Sequence, residues 1–431
     1  MIPESLTARI LSLMHCEVVP AVGCTEPAAV ALCVAKTVEL LGCMPETINV
    51  GLSANMLKNA MGVGIPGTGM TGLPIAIALG ALCGKSEDGL EVLCRVTPDD
   101  VEKGKEYISG GAINIRLVAD APSILYIEVE AKSGEEKAGA AIAEQHTRFV
   151  RLWRNDREMP VQENSAETDA DSESGAESDP ELNLRLVYDF AMQTPLSRLE
   201  FLHRAGELNS AAADEALRHP YGHSLGSILR TSGVQYFGDT PLVHMMADTA
   251  AACDARMGGC PIAVMSNSGS GNQGITATMP VISFARDCGA DDEHLLRALA
   301  LSHLTSIYIK QGLGRLSALC GCVVAGTGAA SGIAYLMGAD FDRICATVKN
   351  MVANLTGMIC DGAKPSCAMK IASATATALM SALLAMNGQC ARQSEGIVSD
   401  DVDRTIHNLT SIGKDAMRTT DAWVLDIMTN K

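Results

Sequence analysis

Between residues 162 and 181 the chain carries eight acidic residues and no basic one, spaced by Ser, Ala and Gly. Such a stretch buries too little apolar surface to offset the entropy of ordering it, which predicts a disordered tether. It constrains the fold because the hydrophobic period changes across it. Before it, Leu90-Glu91-Val92-Leu93-Cys94-Arg95-Val96, Ile113-Asn114-Ile115-Arg116-Leu117 and Leu125-Tyr126-Ile127-Glu128-Val129-Glu130 alternate apolar and polar residues. Lys137 to Glu144 and Arg148 to Trp153 suggest two more strands, and Ile48-Asn49-Val50-Gly51-Leu52 a short one. Period two with turn residues between predicts a small antiparallel sheet, with a helix from Asp99 to Tyr107 beside it. After the tether, helical periods run near 184–192, 196–206, 209–218, 223–235, 242–256, 275–286, 292–311, 316–337, 340–356, 367–386 and 400–426. Residues 4–43 are expected to form two helices. The break between them falls at Pro20-Ala21-Val22-Gly23-Cys24-Thr25-Glu26-Pro27, with Thr25 as N-cap and Pro27 in the first turn.

The expected fold class is α+β, with the small sheet in the N-terminal part and a large, mostly helical C-terminal domain. The expected organisation is N-terminal helices and a Gly-rich loop over 1–87, packed with the C-terminal domain. A small α/β subdomain follows over 88–161, then the tether over 162–181 and a helical catalytic domain over 182–431.

The formal charge of −17 argues against nucleic acid and against an anionic membrane surface, both of which need a basic face. The tether accounts for eight of those charges, leaving about −9 for the rest. Four segments, 59–84, 257–285, 316–339 and 371–391, are uncharged over about a bilayer span. They are rich in Gly, Ser, Thr, Asn and Pro and lack a flanking Lys/Arg asymmetry, so they read as buried core. Aromatics at 3 % and 40 glycines suit closely packed helices and a homo-oligomer. The 15 cysteines are odd in number, scattered, and mostly within apolar runs. No basic-then-apolar leader opens at Met1-Ile2-Pro3-Glu4-Ser5. Both point to a reducing cytoplasm, where clustered Cys more often serves metal or catalysis than disulfides.

Four constellations can carry chemistry. The first joins Leu316-Ser317-Ala318-Leu319-Cys320-Gly321-Cys322 to Gly357-Met358-Ile359-Cys360-Asp361-Gly362-Ala363-Lys364-Pro365-Ser366-Cys367. Cys360 is expected to end one helix and Cys367 to open the next behind Ser366, across a tight turn. Two thiolates seven apart over such a turn can converge on one ion, with Cys320 or Cys322 returning on a neighbouring helix. Cys-x-Cys inside an apolar helix does not give the paired knuckle spacing of zinc, whereas three unevenly spaced thiolates suit an iron–sulfur cluster. Three ligands leave one iron open as a Lewis acid. The bland reading is a set of buried core cysteines.

The second is Gly23-Cys24-Thr25-Glu26-Pro27, where Cys24 just before a helix is a candidate base, nucleophile or further ligand. The third is Ser266-Asn267-Ser268-Gly269-Ser270-Gly271-Asn272-Gln273-Gly274-Ile275, a loop opening a helix and offering N–H groups to a carboxylate or phosphate. It matches neither a Walker loop nor a dinucleotide fingerprint. The fourth is His303, on one helix face with Leu296, Leu299, Ala300 and Ile307; a weak acid/base candidate, it is more simply a satisfied core histidine. The run Lys58-Asn59-Ala60-Met61-Gly62-Val63-Gly64-Ile65-Pro66-Gly67-Thr68-Gly69 suggests backbone approaching something closely.

Taken together, these blocks resemble the iron–sulfur L-cysteine desulfidases, a serine-dehydratase-α-chain-like family. The match is carried by Gly23–Pro27, Lys58-Asn59 with the glycines after it, Ser268–Gly274, Leu319–Cys322 and Met358–Lys364, and covers nearly the whole chain apart from the tether. The resemblance implies a cytoplasmic lyase that converts L-cysteine to pyruvate, ammonia and hydrogen sulfide on a [4Fe-4S] cluster without pyridoxal phosphate. It implies cluster or activity roles for Cys24, Cys320 and Cys360. Cys367 resembles the last ligand of related serine dehydratases at a shorter spacing, and Cys322 stands as the alternative to Cys320. Substrate contacts are then expected from Lys58, Asn59, Ser268, Gly269, Ser270, Asn272 and Gln273. Cys24 is the candidate base, with His303 behind it. The rival readings are L-serine dehydration by the same chemistry, a non-enzymatic cluster sensor with four ligands, and pyridoxal-phosphate elimination on Lys364 or Lys370.

Overall fold

The computed structural model describes residues 2–155, 157–161, 179–314 and 316–430. Most of the predicted acidic tether, 162–178, therefore lies outside the described residues. The chain divides into two compact units, one of residues 25–180 and one of residues 1–24 with 181–431.

In the first unit, six strands form one sheet: β2 Thr47–Leu52, β3 Ile113–Leu117, β4 Tyr126–Ser133, β5 Glu136–Ala143, β6 Phe149–Arg154 and β7 Arg157–Met159. The short β1 Pro20–Ala21 and β8 Val264–Met265 pair in the other unit. The strand order is β3-β2-β4-β5-β6-β7. All neighbours are antiparallel except β2 and β3, which run parallel with Ile48 opposite Ile113 and Leu52 opposite Leu117. Alternation sets the covered face: Ile48, Val50, Leu52, Ile127, Val129 and Ala131 are wholly buried. Helix Thr25–Leu41 lies on that face, where the Cys33 thiol donates to the Ala140 carbonyl at 3.4 Å. Helix Pro98–Ser109 opens on a reciprocal cap, Thr97 and Asp100 each bonding the other's backbone N–H.

Two expectations need correction here. Leu90–Val96 is not a strand; it ends a 3₁₀ turn, Ser86–Glu91, and runs on as turns. Val92 and Leu93 are both buried, which a half-covered strand does not allow for consecutive residues. The expected break near residue 87 is also displaced: residues 25–87 group with the sheet and only 1–24 group with the C-terminal helices. The reason is β2, an interior strand between β3 and β4, which ties the N-terminal helices to the subdomain that follows.

The second unit is helical. Its core is built from Pro241–Met257, Gly271–Cys288, Asp292–Leu313, Gly321–Leu336, Phe341–Leu355 and Cys367–Met386, packed on one another. Small residues line these contacts: Ala298, Ala300, Ala325, Ala329, Ala330, Ala374 and Ala378 are wholly buried. The periods near 196–206 and 209–218 resolve into a short 3₁₀ turn followed by a single helix, Leu202–Arg218. Among the described residues, one helix, Cys367–Met386, is long and apolar enough to cross a membrane, and 56 % of its apolar window is buried inside the fold.

Candidate active site

The 266–274 loop is built by its own turn chemistry. Asn267 and Ser270 bond each other through both backbone N–H groups, at 3.1 and 3.0 Å. The two residues between them, Ser268 and Gly269, take φ of 50° and 76°. Two successive positive φ values give the tight turn that strands use to reverse. Ser270 then caps helix Gly271–Cys288, its hydroxyl accepting from the Gln273 N–H. Gly274 has no room for a side chain, because a Cβ there would stand 2.0 Å from the Met265 carbonyl oxygen. Behind the loop, Asn209 accepts from the Met265 N–H at 2.9 Å and donates to the Gly274 carbonyl at 3.5 Å.

The N-terminal segment is stitched to this loop. β1 pairs β8, and Ser266 donates to the Val19 carbonyl through both its N–H and its hydroxyl. Ser268 N–H donates to the Glu17 carbonyl. Cys24, buried, follows β1 by three residues and directly precedes helix Thr25–Leu41. Gly23 before it has φ 66°. In the other unit, Glu26 accepts from the Asn59 side chain at 3.2 Å and from the Thr25 hydroxyl at 3.2 Å. Glu26 thus joins the Gly23–Pro27 motif to the Lys58-Asn59 motif. Lys58 and Asn59 are both buried on helix Ala54–Ala60.

His303 is wholly buried. Its Nδ1 meets the Asn267 amide at 3.1 Å and its Nε2 the Thr278 hydroxyl at 3.0 Å. Burial without a carboxylate partner lowers its pKa to about 4, so the ring is neutral at pH 7. Asn267 passes the contact on: its Oδ1 accepts from the Gln273 side-chain amide at 3.0 Å. The Gln273 Oε1 is buried with no hydrogen-bond partner. It abuts Gly321, where a Cβ would lie 3.1 Å away, between Cys320 and Cys322.

The cysteines meet here, by a route that differs from the expected one. Helix Phe341–Leu355 ends five residues before Cys360. Cys360 instead lies in an extended segment that runs antiparallel to 318–320: Cys360 N–H donates to the Ala318 carbonyl at 2.7 Å and Cys320 N–H to the Met358 carbonyl at 3.0 Å. Cys320 is likewise not inside a helix but is the N-cap of Gly321–Leu336, with Cys322 in its first turn. The Cys320 and Cys322 sulfurs are 3.0 Å apart. The hydrogen bond with Cys322 raises the Cys320 pKa, and a bond to Cys360 opposes it. Cys367 opens helix Cys367–Met386 behind Ser366, as the sequence predicts. Its thiol is raised by burial, with Lys364 and Lys370 opposing and Cys360 adding to the rise.

Lys364 and Lys370, the Schiff-base candidates of the rival reading, are both committed to Asp361. Lys364 also donates to the Asp361 and Gly362 carbonyls, and Lys370 to the Ile359 carbonyl. Burial disfavours the Asp361 carboxylate, yet the two lysines outweigh it and bring the pKa to about 2.

Sequence reading missed two neighbours on helix Pro241–Met257. Cys253, wholly buried, points its thiol at Asn272 Oδ1, 3.7 Å away, and Cys367 and Cys320 are among the groups acting on its charge. Arg256, 5 % exposed, donates through Nη1 to the same Oδ1 at 3.0 Å. A signal was available: Arg256 is the last charge before the uncharged run 257–285.

Among the described residues no three His, Cys, Asp or Glu side chains stand arranged to hold a metal ion as they are. The donor set is nonetheless that of iron–sulfur chemistry. No cysteine is in a disulfide, and the Cys320 thiol contacts both Cys322, at 3.0 Å, and Cys360. Cys367 lies within electrostatic reach of Cys360, and two lysines offset thiolate charge.

The family described as "Serine dehydratase alpha chain" matches residues 87–426. Two relatives, each called a UPF0597 protein, are 55 % identical: one from Bacteroides thetaiotaomicron over 429 residues, covering 99 % of both chains, and one from Phocaeicola vulgatus over 433, covering 100 % of this chain and 99 % of the relative. A further one from Shewanella halifaxensis is 44 % identical over 437 residues, covering 99 % and 100 %. These names state no substrate. At the family level the match supports a lyase of the iron–sulfur type. The thiol group, the Ser-Gly loop and the helices that carry them all fall inside the matched region, and the chain belongs to the serine dehydratase alpha chain family.

Proposed function

We propose that the chain is an L-cysteine desulfidase, removing sulfide from L-cysteine to leave aminoacrylate, which water converts to pyruvate and ammonia. The observation that carries this reading is the contact of Cys320 with both Cys322 and Cys360, with Cys367 within electrostatic reach of Cys360, next to Gln273 at the N-terminus of helix Gly271–Cys288. Cys320, Cys360 and Cys367 would hold a [4Fe-4S] cluster, with Cys322 the alternative to Cys320. Such a cluster, held by three thiolates, supplies an open iron that acts as a Lewis acid toward the leaving sulfur. The 268–274 loop orients the substrate, with Ser268, Gly269, Ser270, Asn272 and Gln273 as its contacts. Lys58 and Asn59 are proposed contacts on the family motif alone. Cys24 is the proposed base for the α-proton. His303, neutral and bonded through both ring nitrogens, acts as a positioning residue that sets Asn267 and through it Gln273.

Serine elimination differs only in the leaving group, and the family's own description names serine. The test is an anaerobic assay of pyruvate from L-cysteine and from L-serine, with sulfide measured in parallel. The proposal predicts a higher kcat/KM for L-cysteine, and at least a 100-fold loss of kcat in Cys24→Ala at unchanged iron content, on the scale of a lost general base. A higher kcat/KM for L-serine would make the chain a serine dehydratase, and an active Cys24→Ala would assign the base elsewhere.

A further inference from the structure

Arg256 is a buried cation that has no counter-ion among the described residues. Its Nη1 bonds Asn272, but its Nε is buried and has no hydrogen-bond partner. Among the described residues no carboxylate pairs with it. Asp254, two residues away, accepts from the backbone N–H groups of His223 and Gly226. Asp248, two turns back, is held by Arg230 and Arg286. A guanidinium cannot shed its proton to escape burial, and an unpaired buried charge costs several kcal/mol. Such a group persists where the fold is built to receive an anion.

The surroundings specify which anion. Gly271 lets the guanidinium lie directly against the start of the helix, since a Cβ there would stand 2.3 Å from Arg256 Nε. Gly271 is also the first residue of an 18-residue helix, whose free N–H groups and dipole favour negative charge. One residue beyond Asn272, the Gln273 Oε1 is buried without a donor. The unpaired Arg256 donor, on a guanidinium that Asn272 holds, and the unpaired acceptor of the next residue, Gln273, match in chemistry the two charged ends of an α-amino acid. The thiol group is adjacent through Gln273 at Gly321 and through Cys253.

We propose that Arg256, held by Asn272 at the N-terminus of helix Gly271–Cys288, binds the α-carboxylate of the amino-acid substrate while Gln273 Oε1 accepts from its α-ammonium. This rests on the lyase reading only in taking an amino acid as the ligand. Full-length chain, reconstituted without oxygen, is compared with Arg256→Gln and Arg256→Lys. Three quantities are read: iron and labile sulfide per chain, KM and kcat for L-cysteine and L-serine, and calorimetric binding of L-alanine against L-alanine methyl ester. Neither alanine compound has a leaving group, and the ester lacks the carboxylate charge.

Wild type should prefer L-alanine to its ester. Arg256→Gln should lose that preference and raise KM on the order of 100-fold at unchanged iron, as expected for a lost charged hydrogen bond. Arg256→Lys should recover part of it. Should Arg256→Gln not fold, Asn272→Ala, which frees the guanidinium, is expected to raise KM on the order of 10-fold. No preference in wild type, or an unchanged KM in Arg256→Gln, overturns the proposal. So does a fall in iron content with the preference intact, which would make Arg256 the counter-ion of the cluster. A wild type that turns over neither amino acid yet binds L-alanine through Arg256 overturns the lyase reading and leaves this site standing.

Discussion

His303 and Asp254 are two buried titratable groups whose effects on stability oppose each other. His303 is held neutral, its pKa lowered by burial from 6.5 to about 4. The unfolded chain therefore binds a proton that the native chain refuses, and stability is lost as pH falls below 6.5 toward 4. Asp254 runs the other way: burial raises it from 3.8 to about 6, despite the N–H groups of Gly226 and His223, so the native chain gains stability as pH falls through 6. Denaturant titrations at pH 7 and pH 5 check this. His303→Gln should remove about 2 kcal/mol of acid-dependent loss, and Asp254→Asn should steepen it. Equal pH slopes in wild type and His303→Gln would show that the ring is accessible to protons. His303 was legible as an inward-facing residue from its helical spacing with Leu296, Leu299, Ala300 and Ile307. Its link to Gln273 was not, because Asn267 lies 36 residues away.

At the scale of elements, period and punctuation carried most of the reading. The strands over 113–117, 126–133, 136–143 and 149–154 and the helices over 241–257, 292–313 and 367–386 lie where alternation or helical spacing puts them. The failures have a common cause. Leu90–Val96 alternates in sequence but is folded as turns, since both Val92 and Leu93 are drawn into the core. Cys320 and Cys360 look helical because their flanks are apolar. Instead, their segments pair with each other across about forty residues, a contact that local pattern does not encode. The 266–274 loop shows how tightly an element can be fixed by one neighbour. Gly274→Ala forces a methyl against the Met265 carbonyl and should cost about 2 kcal/mol of stability, as overpacking does. Because Gly274 also borders the turn proposed to bind substrate, KM should rise in the same variant. A stability unchanged from wild type would mean that the loop yields freely.

The chain forms a discontinuous helical unit, residues 1–24 with 181–431, and a sheet-bearing unit, residues 25–180. Composition suggested helices, a sheet and a tether, but the discontinuity was hidden, because β1 is only two residues long and its partner β8 lies more than 240 residues away. That pairing brings the Cys24 segment to the unit that carries Cys320, Cys322, Cys360 and Cys367. Three of them, Cys320, Cys360 and Cys367, are proposed to hold an iron–sulfur cluster used for elimination. The most direct measurement is iron and acid-labile sulfide per chain after anaerobic purification, with pyruvate and sulfide assayed from L-cysteine in the same sample. It is made on wild type, Cys360→Ala and Cys322→Ala. About four irons and four sulfides per chain in wild type, lost together with turnover in Cys360→Ala and kept in Cys322→Ala, is the predicted result. Absence of iron, labile sulfide and turnover in wild type, even after anaerobic reconstitution, would contradict the claim and return the four cysteines to the core.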